Sequence, residues 1–282
     1  MPNRILVTGA AGIVGSALRP TLAERYQTVL LSDLRPVTDL APNERFVACD
    51  LGDLDGLTRL CGEVDGVIHL GGKVGAGYGF PEVLGPNIIG TYHIFQAAHA
   101  SGVTHLVYAS SHHAVGFLRR GATIDHQTPH RPDSHYGLSK AFGESVGAFF
   151  ADKYGLNVMA IRIGFVGDAV ADERRLHTWI SAQDLAQLIG IGLSTPRLGY
   201  QVVYGTSDNP EPFFDNQNAT RLGYRPQDRS ELNVTDSSLL SDEPDPTTIG
   251  GACVGGGFAE VGFEGEPRRI TEWRPDAPKT RP

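Results

Sequence analysis

Short apolar runs alternate along this chain with longer stretches whose apolar residues recur every three or four positions. "RILVTG", "TVLLSD", "RFVACD", "GVIHLGG", "HLVYASS" and "NVMAIRIG" are each apolar through their middle. A run apolar on both faces belongs inside a parallel sheet covered by helices. Between these runs lie helical patterns at Ile13–Arg25, Asp53–Cys61, Pro81–Ala100 and Ser134–Lys153. The repetition predicts an α/β fold with a doubly wound parallel sheet. Right-handed crossovers then line up the loops after the strands along one edge, where ligands bind.

After Gly167 the regularity stops. "LHTWISAQDLAQLIGIGL" reads as one helix, "YQVVYGTSD" as a strand and "FDNQNATRLGY" as a further helix. From Ser237 the chain is rich in proline, glycine and acid. The expected organisation is a nucleotide-binding domain over 1–165 and a small mixed substrate-side subdomain over 166–282. The last residues, "ITEWRPDAPKTRP", read as a loosely held tail.

Composition narrows the function. The 35 glycines of the 282 residues point to tight βα turns. A net charge of -8 argues against a nucleic-acid groove or an anionic membrane surface as partner. No apolar run approaches the roughly 20 residues that span a bilayer. The start "MPNRILVTGAAG" runs straight into a strand and leaves no room for a signal peptide. Cys49, Cys61 and Cys253 are too few for a disulfide framework, so a reduced, cytoplasmic setting is expected.

"VTGAAGIVG" spaces Gly9, Gly12 and Gly15 directly after the first strand and at the start of the first helix. Gly9 suits the tight turn, Gly12 lets the backbone approach a pyrophosphate, and Gly15 lets helix and strand pack closely. The second strand ends in Asp33, eighteen residues past Gly15. A carboxylate there takes both ribose hydroxyls and repels a 2′-phosphate, so NAD is expected over NADP; Arg35 nearby weighs the other way. Asp50 and Leu51 close the third strand and suit the adenine, though helix capping by Asp50 or Asp53 explains an aspartate there equally. Gly71 and Gly72 give a second softened strand end. The expected cofactor-contacting set adds Ile13, Val14, Leu34, Leu70 and Ile163.

"HYGLSK" places Tyr136 four residues before Lys140, hence on one helix face. A free phenol, with a pKa near 10, needs help to act as a base, and a neighbouring ammonium is expected to lower that value. Lys140 also suits the nicotinamide ribose. "YASSHHAVG" supplies Ser111 at the end of the fifth strand to position a substrate oxygen, with Ser110 as the near alternative. His112 and His113 follow. Adjacent residues on a strand end point to opposite faces, so the two are not expected to share a metal, and no metal is predicted.

TGxxGxxG, a serine after the fifth strand and YxxxK together resemble the extended short-chain dehydrogenase/reductase superfamily, of the NAD-dependent epimerase/dehydratase type, over the first 165 residues. The resemblance implies a Rossmann fold, Tyr136 as general acid/base, Lys140 as its electrostatic partner and ribose ligand, Ser111 as the hydroxyl-orienting group, and Asn87 at the family's N-x-x-G-T position. "NIIGTYHIFQAA", "RPDSHYGLSKAFGE", "ERRLHTWIS" and "LGYRPQD" further resemble the uronate dehydrogenase branch. That implies oxidation of the anomeric hydroxyl of a hexuronic acid to a lactone, Arg174 as the carboxylate-binding arginine, and Phe258 closing the pocket.

The chain departs from that branch at three pocket positions. His112 replaces an amide, Phe165 replaces a small hydroxyl, and the serine expected after "HLGG" falls near Lys73 and Gly75. The substrate-contacting set is therefore Gly75, Ser111, His112, His113, Phe165, Arg174 and Phe258, with the sugar open. Two rival readings use the same features: an epimerase or dehydrogenase acting on a different sugar derivative, and a non-catalytic NAD-sensing regulator. The two long helical patterns, Pro81–Ala100 and Ser134–Lys153, are apolar enough to predict a homo-oligomer built on a four-helix dimer interface.

Overall fold

The computed structural model describes residues 2–241 and 243–271; most of the expected tail lies outside them. Seven parallel strands form one sheet in the order β3-β2-β1-β4-β5-β6-β9. The strands are β1 (Arg4–Thr8), β2 (Thr28–Asp33), β3 (Glu44–Ala48), β4 (Gly66–His69), β5 (His105–Ser111), β6 (Asn157–Ile163) and β9 (Tyr200–Gly205). This is the Rossmann order carried one strand further. A two-stranded side sheet pairs β7 (Phe165–Val166) with β8 (Trp179–Ile180).

Two apolar layers sandwich the sheet. Helices α1 (Ile13–Arg25) and α7 (Ala182–Ser194) pack on one face, burying Leu18, Leu22, Leu185 and Leu188 against Ile5, Val7 and Met159. On the other face lie α2 (Leu54–Cys61), α4 (Gly90–Ala100) and α5 (His135–Tyr154), whose Leu57, Phe95 and Phe150 meet Leu6, Leu106 and Tyr108. Strands buried on both faces are what the continuous apolar runs require.

Three expectations need correction. The run read as one helix over "LHTWISAQDLAQLIGIGL" is split into α6 (Glu173–Thr178), β8 and α7. Ser181 is extended and its hydroxyl accepts from the Asp184 N–H, so a helix N-cap wins over the continuous apolar period. The pattern Pro81–Ala100 is helical but not uniform: α3 (Phe80–Val83) leads through a π-helical turn, Leu84–Ile89, into α4. Pro86 lies in that turn, where its missing N–H disturbs the regular ladder. The division at residue 165 also fails, because α7 and β9 belong to the main layers.

Helix α5 approaches β5 so closely that only glycine fits at Gly143, where a Cβ would stand 2.1 Å from the Tyr108 hydroxyl. Gly143→Ala is therefore expected to destabilise the protein by about 1–3 kcal/mol through overpacking. Urea denaturation measures this, and an unchanged midpoint would refute the tight approach.

Candidate active site

The first βα turn is shaped for close contact with a flat, anionic ligand. Gly9 has φ +73°, and a Cβ there would meet Gly71 N at 2.6 Å. At Gly15 a Cβ would meet the carbonyl oxygens of Gly9 and Ala10 at 2.6 Å. Gly12 caps α1 without a side chain, so the N–H groups of the first turn stay unobstructed. A cleft of about 530 Å³ opens there, lined by Gly12, Ile13, Ser16, Val166, Gly167 and Asp168.

Ile13 and Leu34 are large apolar residues left 77% and 68% exposed in this region. Val14 instead packs against the core. Asp33 accepts the N–H groups of Ala11 and Arg35, while the Arg35 guanidinium donates back to the Ala11 carbonyl. Arg35 is thus tied to the glycine loop itself. Asp50 accepts from the Gly52 N–H, so its capping-type turn is real, but Asp53 is the N-cap of α2. Leu51 packs on Gly71, and Leu70 N–H bonds the Thr8 carbonyl, which aligns the second glycine end with the first. Asn87 sits buried in the π-turn; its amide brackets Lys73 backbone N and O at 2.7 and 2.9 Å and donates to Ser139. It holds the loop that begins at Gly72, where a Cβ would abut the Asn87 amide. The bare helix start, the glycines whose Cβ space is already filled, and the carboxylate at the second strand end fit a dinucleotide.

Next to this cradle, α5 lays three polar side chains at successive turns. Tyr136 faces Ser111, near enough for the serine hydroxyl to lower its pKa, while Ser111 Oγ accepts from the His113 N–H at 3.2 Å. Lys140 Nζ donates to the Ala109 carbonyl at 2.7 Å and lies 5.6 Å from the centre of the Tyr136 ring. Glu144 accepts from Ser110, takes the Nε–Nη2 edge of the Arg162 guanidinium with both bonds at 2.9 Å, and contacts His130. Ser110 is thereby engaged behind the site, which leaves Ser111 as the serine facing the phenol. The expected lowering of the Tyr136 pKa by Lys140 is not found. Burial pushes the phenol up to about 12, against the Ser111 hydrogen bond, and the same burial brings Lys140 down to about 8.

β5 ends at Ser111, and His112 begins a 3₁₀ turn rather than a further strand residue. The two imidazoles consequently lie side by side, ring centres 4.1 Å apart, not on opposite faces. His113 Nδ1 contacts Asp133 at 2.6 Å, and its ring stacks on Phe258 at 3.8 Å. Phe258 also meets Tyr136 edge-on, at 6.2 Å between centres. His112 Nδ1 lies 3.0 Å from the Ile163 carbonyl and Nε2 lies 2.8 Å from Arg174 Nη1. Burial is the first cause that holds both histidines well below the ordinary value, so both are neutral. Burial also raises Asp133 to about 6.

Two expected substrate contacts are not brought to this cluster. Phe165 turns into a separate apolar group with Val170, Leu176 and Trp179, and Arg175 covers its ring at 4.3 Å. Gly75 lies in the loop against Tyr78. Conversely, Glu144, Arg162 and Asp133 shape the site and were missed. A charged residue inside the apolar run "NVMAIRI" and an acid one further turn past Lys140 were the available signals. Among the described residues no group of three or more His, Cys, Asp and Glu is arranged to hold a metal, and no helix is long and apolar enough to cross a membrane.

Residues 5–187 match the model of the NAD dependent epimerase/dehydratase family. The chain belongs to that family. Its cofactor is NAD, which the cradle fits. The chain is 43% identical over 263 residues to the uronate dehydrogenase of Pseudomonas putida, covering 92% of this chain and 97% of the relative. The crystal structure of a glucuronic acid dehydrogenase from Chromohalobacter salexigens superposes with a TM-score of 0.88 at 40% identity, covering 93% of this chain and 98% of the other. A uronate dehydrogenase from Agrobacterium tumefaciens, solved as a mutant complexed with NAD, gives a TM-score of 0.85 at 35% identity, covering 92% and 97%.

In this family member the neutral His113 points its Nδ1–H at a carboxylate that takes up a proton near pH 6. Above that pH the Asp133 charge fixes the tautomer; below it the charge and the preferred tautomer are lost. NAD reduction per substrate encounter (kcat/KM) is therefore expected to fall as pH drops through about 6. Asp133→Asn is expected to erase that acid limb while lowering the plateau. An identical limb in the variant would assign it to another group.

Proposed function

We propose that the protein is a uronate dehydrogenase, oxidising the anomeric C–OH of a hexuronic acid to a lactone. One observation carries this reading beyond the family. Arg174 is a half-buried guanidinium beside the Tyr136 cluster, and no carboxylate pairs with it among the described residues. A planar fork left without an acid suits the carboxylate of a sugar acid.

Bound NAD supplies the acceptor for the hydride that leaves C1. Ser111 holds the anomeric hydroxyl and, through its hydrogen bond, favours the Tyr136 phenolate against burial. Tyr136 takes the hydroxyl proton. Lys140 is cationic below about pH 8, so at neutral pH it presents a positive charge on the phenolate's own helix face and would meet the ribose of bound NAD. Gly9, Gly12, Ile13 and Val14 would hold the pyrophosphate; Asp33 and Leu34 would hold the adenosine ribose, and Asp50 and Leu51 the adenine. Leu70, Gly71, Gly72, Asn87 and Ile163 would border the path toward the nicotinamide. Phe258 and His113 form the apolar and polar walls over the sugar. The epimerase and the regulator would share the cradle, but neither needs an unpaired arginine at the sugar end.

The test is NADH formation with glucuronate, galacturonate and neutral hexoses. We expect turnover on the sugar acids, loss of about 10³-fold or more in Tyr136→Phe with NAD binding kept, and a KM for the acid raised about 10-fold or more in Arg174→Ala. Retained NAD with no net NADH would favour the epimerase.

The dimer belongs to the same proposal. Leu84, Ile89, Tyr92, Phe149 and Tyr154 are exposed apolar residues on the π-turn, α4 and α5, which pack side by side. Two copies joined there would cover them. Light scattering should report a dimer, and Tyr92→Asp/Phe149→Asp a monomer; a wild-type monomer would refute the interface. Free Cys49, Cys61 and Cys253 suit a reducing, cytoplasmic setting.

A further inference from the structure

The hydrogen bonds of His112 leave no freedom in its tautomer. Arginine has only donors, so Nε2 must accept from Arg174 Nη1. The proton then sits on Nδ1 and is donated to the Ile163 carbonyl at 3.0 Å. Both ring nitrogens are engaged by the protein, and the residue is only 3% exposed. No polar atom of the side chain remains to recognise a sugar hydroxyl. The expectation that His112 contacts the substrate therefore has to change.

The other end of the relay is equally defined. Besides His112, Arg174 Nη1 reaches only the Val254 carbonyl, at 3.4 Å. Its Nε and Nη2 donors have no protein acceptor among the described residues. The guanidinium is held at Nη1, while its Nε–Nη2 edge carries no hydrogen bond to a described residue and has Gly256 packed beside Nε. Its stem crosses Gly256 (φ +59°), where a Cβ would stand 2.4 Å from Arg174 Cδ. Strand β6 thus fixes an imidazole, the imidazole fixes one edge of a guanidinium, and the opposite edge is presented as a fork.

We infer that His112 is the positioning residue for Arg174, setting the direction of the free guanidinium edge that grips the substrate carboxylate. This rests on the uronate reading above. It makes preference for an anionic sugar depend on a side chain that never touches the sugar. An arginine that must be ordered at each binding event loses side-chain entropy at that moment; one already held has lost it on folding.

The test is a double-mutant cycle in the full-length protein, read as KM and kcat for glucuronate. NAD affinity and the thermal transition report folding. His112→Phe keeps a ring but removes the acceptor. It should raise KM about 10-fold with kcat changed less than about 3-fold, the loss of one hydrogen bond to a charged group. His112→Gln places an amide oxygen near the lost Nε2 and should bring KM back to within about 3-fold of wild type. In the Arg174→Ala background His112→Phe should add less than about 2-fold, because its effect runs through the arginine. An unchanged KM in His112→Phe overturns the inference, and so does an equal increment in both backgrounds. Should His112→Phe fail to fold, His112→Gln decides alone: a 10-fold rise in its KM overturns the inference. Wild-type protein without turnover on any sugar acid overturns the uronate reading instead, a distinct result.

Discussion

The register of α5 against β5 is the constraint on which the site depends. Tyr136, Lys140 and Glu144 follow one another at single-turn intervals, and each meets the strand: Tyr136 beside Ser111, Lys140 bonded to the Ala109 carbonyl and Glu144 to Ser110. The lowest rung is the firmest. Arg162 on the neighbouring strand holds Glu144 with two hydrogen bonds in a dry setting, and His130 adds a third group. Burial opposes the charge, yet the His130 hydrogen bond and the Arg162 charge keep Glu144 down to about 2. Leaving one charge of such a pair without its partner costs about 3–5 kcal/mol. A turn of α5 by one residue would break all three ties together, so the phenol is aimed by a charge pair two helical turns away.

The electrostatics around that phenol follow from burial more than from pairing. His69, His112 and His113 are all driven neutral, leaving Lys140 and Arg174 as the cations nearest the reacting face. Asp133, the acid beside the two imidazoles, is occupied by His113 and Ser134. A pocket with two cations and a sequestered acid favours an anionic ligand, while the phenol itself is governed by burial. The raised pKa of Tyr136 is the cost of the dry site in which those charges act at full strength.

The chemistry was legible in the sequence where it rests on local spacing. The glycine turn, the Tyr136–Lys140 interval and the serine after β5 are each set within a few residues of backbone, and strands buried on both faces announce themselves as apolar runs. What escaped depends on contacts across the fold. The split at Trp179 is an example: the apolar period runs on through "HTWISAQD", and only the Ser181 cap, a single hydrogen bond, stops it. The fate of Phe165 is another. Its place in the order suits the sugar, but β7 pairs with β8 and its ring packs in the cluster that holds Trp179. The pKa of Tyr136 could not be read from an i, i+4 interval, because burial is invisible to spacing.

The same distinction separates how the site reacts from what it accepts. The proposed proton transfer rests on β5 and on α5, the helix packed against that strand. The groups that the uronate reading gives to the sugar's far end come from after residue 165: Arg174 on α6, with Val254 and Gly256 against it, and Phe258 stacked on His113. These later segments are short helices and turns joined to the core through few layers, so their side chains can change without moving the α5 ladder. His112 is the exception that links the two halves. Placed just past β5 and bonded to both β6 and α6, it makes the direction of the Arg174 side chain a consequence of how the sheet itself is built.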